Sequence, residues 1–321
     1  MIILKNRQIF TDKKIVAVIA TLCCFLWGSA YPAIKNGYIL FNISASDIPS
    51  KLVFAGYRFV IAGIILLIIS AKYEKKVFLL SKKNILKLFF LGVIQTTLQY
   101  IFFYIGVANT TGVKGSIMNS TVTFFSVIIA HYLYANDKLS VQKIIGCIVG
   151  FIGVMIVNFS HDLLSFSFSF KGEGFVIIAA FIFSVGAIYG KKLTKSMDVM
   201  VVTGYSLSMG GMILILIGIL SGGRVYHFTI ASSLILIYLA LLSSAAFSLL
   251  NLLLKYNKVG PVSVFNFLTP IFGSILSAIF LRENILEYKN IIALVLVCIG
   301  IWMVNKEKVK LKSNKTLNMK I

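Results

Sequence analysis

Ten stretches of this 321-residue chain each run for about 18 residues or more with almost no charge, the length that crosses the hydrocarbon core of a bilayer. They lie near 15–34, 53–71, 85–108, 113–133 and 141–158, then near 173–190, 199–220, 232–254, 259–281 and 288–305. Composition agrees. Apolar residues make up 59% and charged residues only 13%, against roughly a quarter charged in a soluble domain. The expected fold is all-α, a polytopic membrane protein with ten transmembrane helices. A basic segment precedes the first run, as in a signal peptide. No small-x-small cleavage site follows and nine more runs do, so the first run is expected to remain as a span. Cys23, Cys24, Cys147 and Cys298 all fall within spans, without metal or redox spacing, and read as small buried apolar residues.

The net charge of +21 is unevenly distributed. With a cytoplasmic N-terminus, 23 of the 31 Lys and Arg fall on that side and seven on the other, while Arg58 lies within a span. Such a bias is the positive-inside rule, and it predicts both termini in the cytoplasm; the expected location is the plasma membrane of a bacterial cell. The basic tails are then topology signals and contacts for anionic lipid, which excludes nucleic acid as the partner they imply.

The chain also repeats itself. At a shift of 148, Gly56-Tyr57 falls on Gly204-Tyr205, Gly63 on Gly211, Asn109 on Asn257, Gly112 on Gly260, Thr121 on Thr269 and Asn136 on Asn284. After one deletion, Gly153 and Asn158 fall on Gly300 and Asn305. The stretch FLWGSAYPAIK (25–35) has a weaker mate in FIFSVGAIYGK (181–191). Each copy holds five spans, an odd number, so the second enters the membrane from the opposite side. The expected organisation is a tail at 1–14, a five-helix repeat at 15–158, an external linker at 159–172, an inverted repeat at 173–305 and a basic tail at 306–321. Inverted repeats are typical of secondary transporters, whose substrate site lies between them near the midplane. No phosphate-binding P-loop is present and no soluble segment is large enough for an ATP site.

FLWGSAYPAIK and the span containing GYRF (56–59) resemble the first two helices of an EamA-like permease of the drug/metabolite transporter superfamily. The segments at 106–140 and 144–158 resemble the end of that family's unit, and 260–284 resembles it more closely. There Pro270 and Glu283 stand where the family usually has a proline and an acid; the first copy has Val122 and Ala135 instead. The resemblance implies a permease, and the direction of export comes from it alone.

Polar groups inside spans need partners in the protein or water, so their clustering is informative. The third span carries Gln95, Gln99 and Tyr100, with the two glutamines four apart and expected on one face. The fourth carries Asn119 and Thr123, the eighth Ser244, Ser248 and Asn251, and the ninth Asn266. With Trp27, Ser29 and Tyr31 of the first span, these are the candidate lining of a substrate cavity. Spans one, three, four, six, eight and nine are expected around it, and five and ten behind it. The alternative for each Ser, Thr or Asn is a hydrogen bond between packed helices. Pro32, whose ring crowds the Gly28 carbonyl, and Pro270 are expected helix kinks. Arg58 reads either as a structural cation or as a guide for anions, Lys114 as a partner for a carboxylate, and His131 either as a hydrated interfacial side chain or as a proton shuttle. Glu283 and Glu173 sit at span ends, and no Asp or Glu lies near the middle of any span. That absence disfavours lipophilic cations as cargo.

These features point to a secondary carrier for a small polar or zwitterionic metabolite, such as an amino acid or amine, working by alternating access. The alternative is a flippase for an amphipathic or lipid-linked molecule. Without HExxH, a Ser/Lys pair or two aspartates in the spans, an intramembrane enzyme is not expected, nor is a cofactor or metal. The partners implied are a small-molecule substrate and the bilayer; a homo-oligomer is left open.

Overall fold

A computed structural model of the chain describes residues 8–73, 77–110, 112–157, 168–281 and 288–306. Glu283, Asn284, residues 159–167 of the linker and most of both tails lie outside them. Among the described residues there are helices and no strands. In chain order they are α1 (Lys13–Leu40), α2 (Ile48–Tyr73), α3 (Lys82–Ala108), α4 (Gly112–Asn119 continued by Val122–Leu133) and α5 (Val141–Val157). Then follow α6 (Phe170–Thr194), α7 (Val199–Leu220), α8 (Ile230–Tyr256), α9 (Val259–Ser263, Val264–Phe267 and Leu268–Leu281) and α10 (Tyr288–Asn305). Eight are long and apolar enough to cross a membrane; α5 and α10 are shorter apolar helices. At 1.5 Å per residue the 17 residues of α5 rise about 25 Å, slightly less than a typical hydrocarbon core.

Caps set where these helices begin. Asp12 accepts from the amides of Lys14 and Ile15 at the start of α1, and Asp198 from Met200 (2.8 Å) and Val201 at the start of α7. Thr229 and Ser232 form a reciprocal capping box on α8. Two of the few acidic residues are thus used at helix N-termini, where a negative charge meets unpaired N–H groups and the positive end of the helix dipole. Asp198→Ala is expected to lower stability by about 1 kcal/mol, read as a lower melting temperature in detergent.

Close packing follows the glycines. Helix α2 lies against α7, with Gly56 on the backbone of Gly211 and Gly63 on that of Gly204. A Cβ added at Gly63 would sit 2.5 Å from the Gly204 carbonyl oxygen. Helix α5 lies against α10 in the same manner, through Gly146 and Gly300. Small residues let helix backbones approach in this way where lipid provides no hydrophobic drive. Helix α1 packs on α8 and α9, and α6 on α3 and α4.

Irregular backbone falls only partly where the prolines predict. Helix α1 runs unbroken through Pro32. Helix α9 is irregular over Val264–Phe267, just before Pro270, which cannot donate to the Asn266 carbonyl. Helix α4 is interrupted after Asn119 although Val122 stands at the matching place. There the Ser120 hydroxyl donates to the Ser116 carbonyl (3.0 Å) and the Thr121 hydroxyl to that of Met118, sharing these carbonyls with the Ser120 and Thr121 amides. A π-helical segment, Val93–Leu98, interrupts α3.

Candidate functional site

The irregular segments of α4 and α9 border a cavity of about 130 Å³ in the middle of the helices. Its lining includes Trp27 and Tyr31 from α1, Arg58 from α2 and Gln99, Tyr100 and Tyr104 from α3. Helix α4 adds Ser116, Asn119 and Ser120, α6 adds Phe183, α8 adds Phe247, and α9 adds Asn266, Thr269 and Pro270. The aromatic groups form a connected layer. Trp27 meets Phe183 and Phe247 edge to face, with ring centroids 6.0 and 5.7 Å apart. Phe59 stands behind Tyr100 at 4.6 Å. Trp27 and Phe183 occupy corresponding places in FLWGSAYPAIK and its mate, and the two rings touch.

A second cavity of about 420 Å³ adjoins the first, sharing Tyr31, Ile34, Phe103, Tyr104 and Ser116. It is bordered by Ala45 and Lys51 of the α1–α2 turn and the start of α2, so it leads to the side away from the start of α1. On the opposite side the helices are tied together. Lys143 and Asp137 form a buried ion pair at 2.8 Å, with side chains 1% and 2% exposed. The other oxygen of Asp137 accepts the Gly260 amide at 2.9 Å, joining the α4–α5 turn to the start of α9. Lys191 of α6 donates to the carbonyl of Asn257 after α8 and lies over the Tyr134 ring. This arrangement leaves the cavity approachable from one side and sealed on the other.

The structure separates the polar side chains singled out above. Trp27, Tyr31, Gln99, Tyr100, Asn119 and Asn266 line the cavity, as do Arg58 and Pro270. Ser29, Gln95, Thr123, Ser244, Ser248, Asn251 and Pro32 do not. Ser29 bonds to the Leu26 carbonyl and the Tyr238 hydroxyl, both at 2.8 Å. Thr123 donates to the Ser263 carbonyl, Ser244 to that of Ala62, and Asn251 to the Thr203 hydroxyl. These are hydrogen bonds between packed helices. Gln95 is buried against Gly186 rather than beside Gln99. Gln95 lies within the π segment Val93–Leu98 and Gln99 begins the regular helix after it.

Lys114 pairs with Glu173 at 3.9 Å, and Glu173 also takes the Thr110 hydroxyl at 2.6 Å, beyond the cavity lining. The ring Nδ1 of His131 accepts the Leu139 amide at 2.9 Å, which anchors the α4–α5 turn. Glu283 is among the residues not described. Phe247 and the pair Asp137–Lys143 were missed by sequence reasoning. Phe247 stands 148 residues after Gln99, so the repeat carried a signal for it; Lys143 read only as a topology charge. No group of His, Cys, Asp and Glu among the described residues is arranged to hold a metal.

Known proteins agree with this picture. The chain is 24% identical over 291 residues to an uncharacterized transporter of Methanothermobacter thermautotrophicus, covering 80% of each. It is 25% identical over 270 residues to one from Archaeoglobus fulgidus, covering 83% of this chain and 89% of that one. A solved crystal structure superposes with a TM-score of 0.74 at 15% identity, covering 91% of this chain and 96% of the other, which shows a shared fold. The EamA-like transporter family matches twice, over residues 14–159 and again over 170–306, and these two matches take in nearly every helix described above. The chain is a multi-pass membrane protein and belongs to the EamA-like transporter family.

Proposed function

We propose that the protein is a secondary carrier that moves a small polar or zwitterionic metabolite, such as an amino acid, across the plasma membrane by alternating access. The observation that carries this reading is the small polar and aromatic cavity enclosed by helices from both halves of the chain. A cavity near 130 Å³ is similar to one that admits benzene, and well below the 300 Å³ or more of a drug-sized site. The size favours a small solute over a lipid. A larger groove of about 1060 Å³, bordered by α1, α9 and α10, shares no lining residue with the cavity, which weighs against a flippase.

Two inverted five-helix repeats with ten crossings fit the packing. Exchanging each helix with the one five places later turns α1 on α8 and α9 into α6 on α3 and α4, and returns α2 on α7 and α5 on α10 to themselves. The reciprocal contacts of Gly56 with Gly211 and Gly63 with Gly204 obey the same exchange. In this reading the termini are cytoplasmic, the described conformation faces outward, and export is its direction by family.

Reconstitution in liposomes, with labelled amino acids and amines and with or without a pH gradient, tests the reading. Counterflow of at least one solute is expected. Movement of a fluorescent lipid with no solute exchanged sinks it. Gln99→Ala is expected to lower transport about tenfold or more at normal membrane levels, because it removes an amide whose Oε1 has no protein donor. Loss of the folded protein instead would assign Gln99 to helix packing.

A further inference from the structure

Resting on the carrier reading, we infer that the transported solute bears a carboxylate, that Arg58 binds it, and that Lys51 draws it toward the cavity. Arg58 is 2% exposed, yet it lines the central cavity. Its Nε donates to the Ser243 hydroxyl at 2.6 Å and its guanidinium lies over the Phe59 ring at 4.8 Å, beside the Tyr100 and Tyr104 rings. These contacts fix the group's position without neutralising it. Among the described residues no carboxylate pairs with it, and none lines either the central cavity or the adjoining one.

The sequence makes that deficit general. All ten Asp and Glu lie at span ends or in loops and tails. Asp47, the nearest along the chain, is three turns away from Arg58 and accepts the Ser50 amide. A cation held within a membrane protein without a counter-charge marks a ligand path, because a buried charge is unfavourable until something neutralises it. A guanidinium presents a planar fork that matches a carboxylate.

Lys51 is an independent second observation. It stands seven residues before Arg58, two turns up the same face of α2 and about 10 Å nearer the outer end. It borders the adjoining cavity and lies over the Tyr38 ring at 5.3 Å. The path therefore ends on a cation without a counter-charge, while Lys51 at its mouth interacts with Asp47 one turn before it and donates to the Ala45 carbonyl. A cation at the inner end attracts anions and disfavours cations there. Besides Arg58 the cavity lining offers the amides of Gln99, Asn119 and Asn266, whose oxygens can accept from an ammonium or hydroxyl on the same solute. A simple amine would meet the like charge of Arg58 in the central cavity and no carboxylate in its lining.

The chain has two tryptophans, and they allow a direct readout. Trp27 lines the cavity, whereas Trp302 is on α10 and 57% exposed. In Trp302→Phe, emission reports occupancy at Trp27 alone. The probes are matched sets on one skeleton: alanine, propionate and ethylamine; valine, isovalerate and isobutylamine. The amino acid or the acid is expected to bind at least about tenfold tighter than the amine. Arg58→Gln is expected to weaken the carboxylates about 10- to 100-fold without weakening the amines, and Arg58→Lys to recover part of the loss. Amines that bind as tightly as acids, no response to any carboxylate, or an unchanged preference in Arg58→Gln each overturn the inference. If Arg58→Gln does not fold, the three-way comparison in the Trp302→Phe protein decides. Counterflow of amines but not carboxylates would leave the carrier standing and Arg58 without this role. Carboxylate binding with no exchange of any solute would do the reverse.

Discussion

Gly63→Val is expected to remove most of the folded protein from the membrane. The position lies where α2 crosses α7, and an added Cβ would fall 2.5 Å from the Gly204 carbonyl oxygen and 2.7 Å from the Ser208 nitrogen. Both are backbone atoms, so no rotamer change relieves the clash and the helices must separate. Separation weakens contacts along the whole crossing. The reciprocal contact at Gly56 and Gly211 lies two turns away on the same seam. Overpacking of this kind costs about 3 kcal/mol, a large share of a marginal stability. Gly211→Val, with its nearest backbone atoms at 2.9 Å, should act in the same direction but less strongly. Gly115→Ala is the control, since its nearest neighbour would be a methyl group at 3.4 Å. The checks are the monodisperse fraction after extraction and the melting temperature. A Gly63→Val protein with normal yield and melting would mean that α2 and α7 are not in backbone contact.

The second large effect concerns the sealed end of the cavity. Lys143→Met removes the cation in contact with Asp137, 2% exposed, leaving only the more distant Lys191, and such a change costs up to about 3–5 kcal/mol. Asp137→Asn with Lys143→Met should recover most of that loss, because the asparagine retains an oxygen for the Gly260 amide while the charge disappears. Asp137→Leu with Lys143→Met should recover less, since it leaves that amide without an acceptor. The pair also links the two halves at the closed side, so its loss is expected to loosen that side. Cys24 supplies the readout. It is 1% exposed with its thiol on the Phe265 carbonyl, and should react faster with a polar thiol reagent in Lys143→Met than in the native protein. Equal stability of all three variants would show the pair to be unimportant, and unchanged Cys24 labelling would separate it from closure.

Much of the architecture was legible in the residues. Long uncharged runs dictate helices because an unpaired backbone group in lipid costs several kcal/mol, and a helix satisfies its own. Eight of the ten runs appear as helices long enough to cross, and the other two, α5 and α10, are shorter and packed together. Matching glycines at a fixed offset also marked the α2–α7 seam, since a position with no side chain is where another backbone can come near. The site was legible only in part. Trp27, Gln99, Asn119 and Asn266 reach the cavity, but Ser29, Thr123, Ser244 and Asn251 have the same chemistry and bond to neighbouring helices instead. Nothing in their residue types distinguishes the two groups.

The sequence by itself determined which segments are helical, where small residues permit close approach, and that no acid stands in the middle of a span. These depend on neighbours within a few residues or on composition alone. Tertiary structure decided which polar face turns inward, and it did so through devices that leave no local mark. Gln95 sits in a π segment and packs on Gly186, and α4 is interrupted after Asn119 without a proline. Arg58 is fixed by Ser243, 185 residues away. Facing is set by rotation of one helix against another, and that rotation depends on all the contacts at once rather than on the period of either helix.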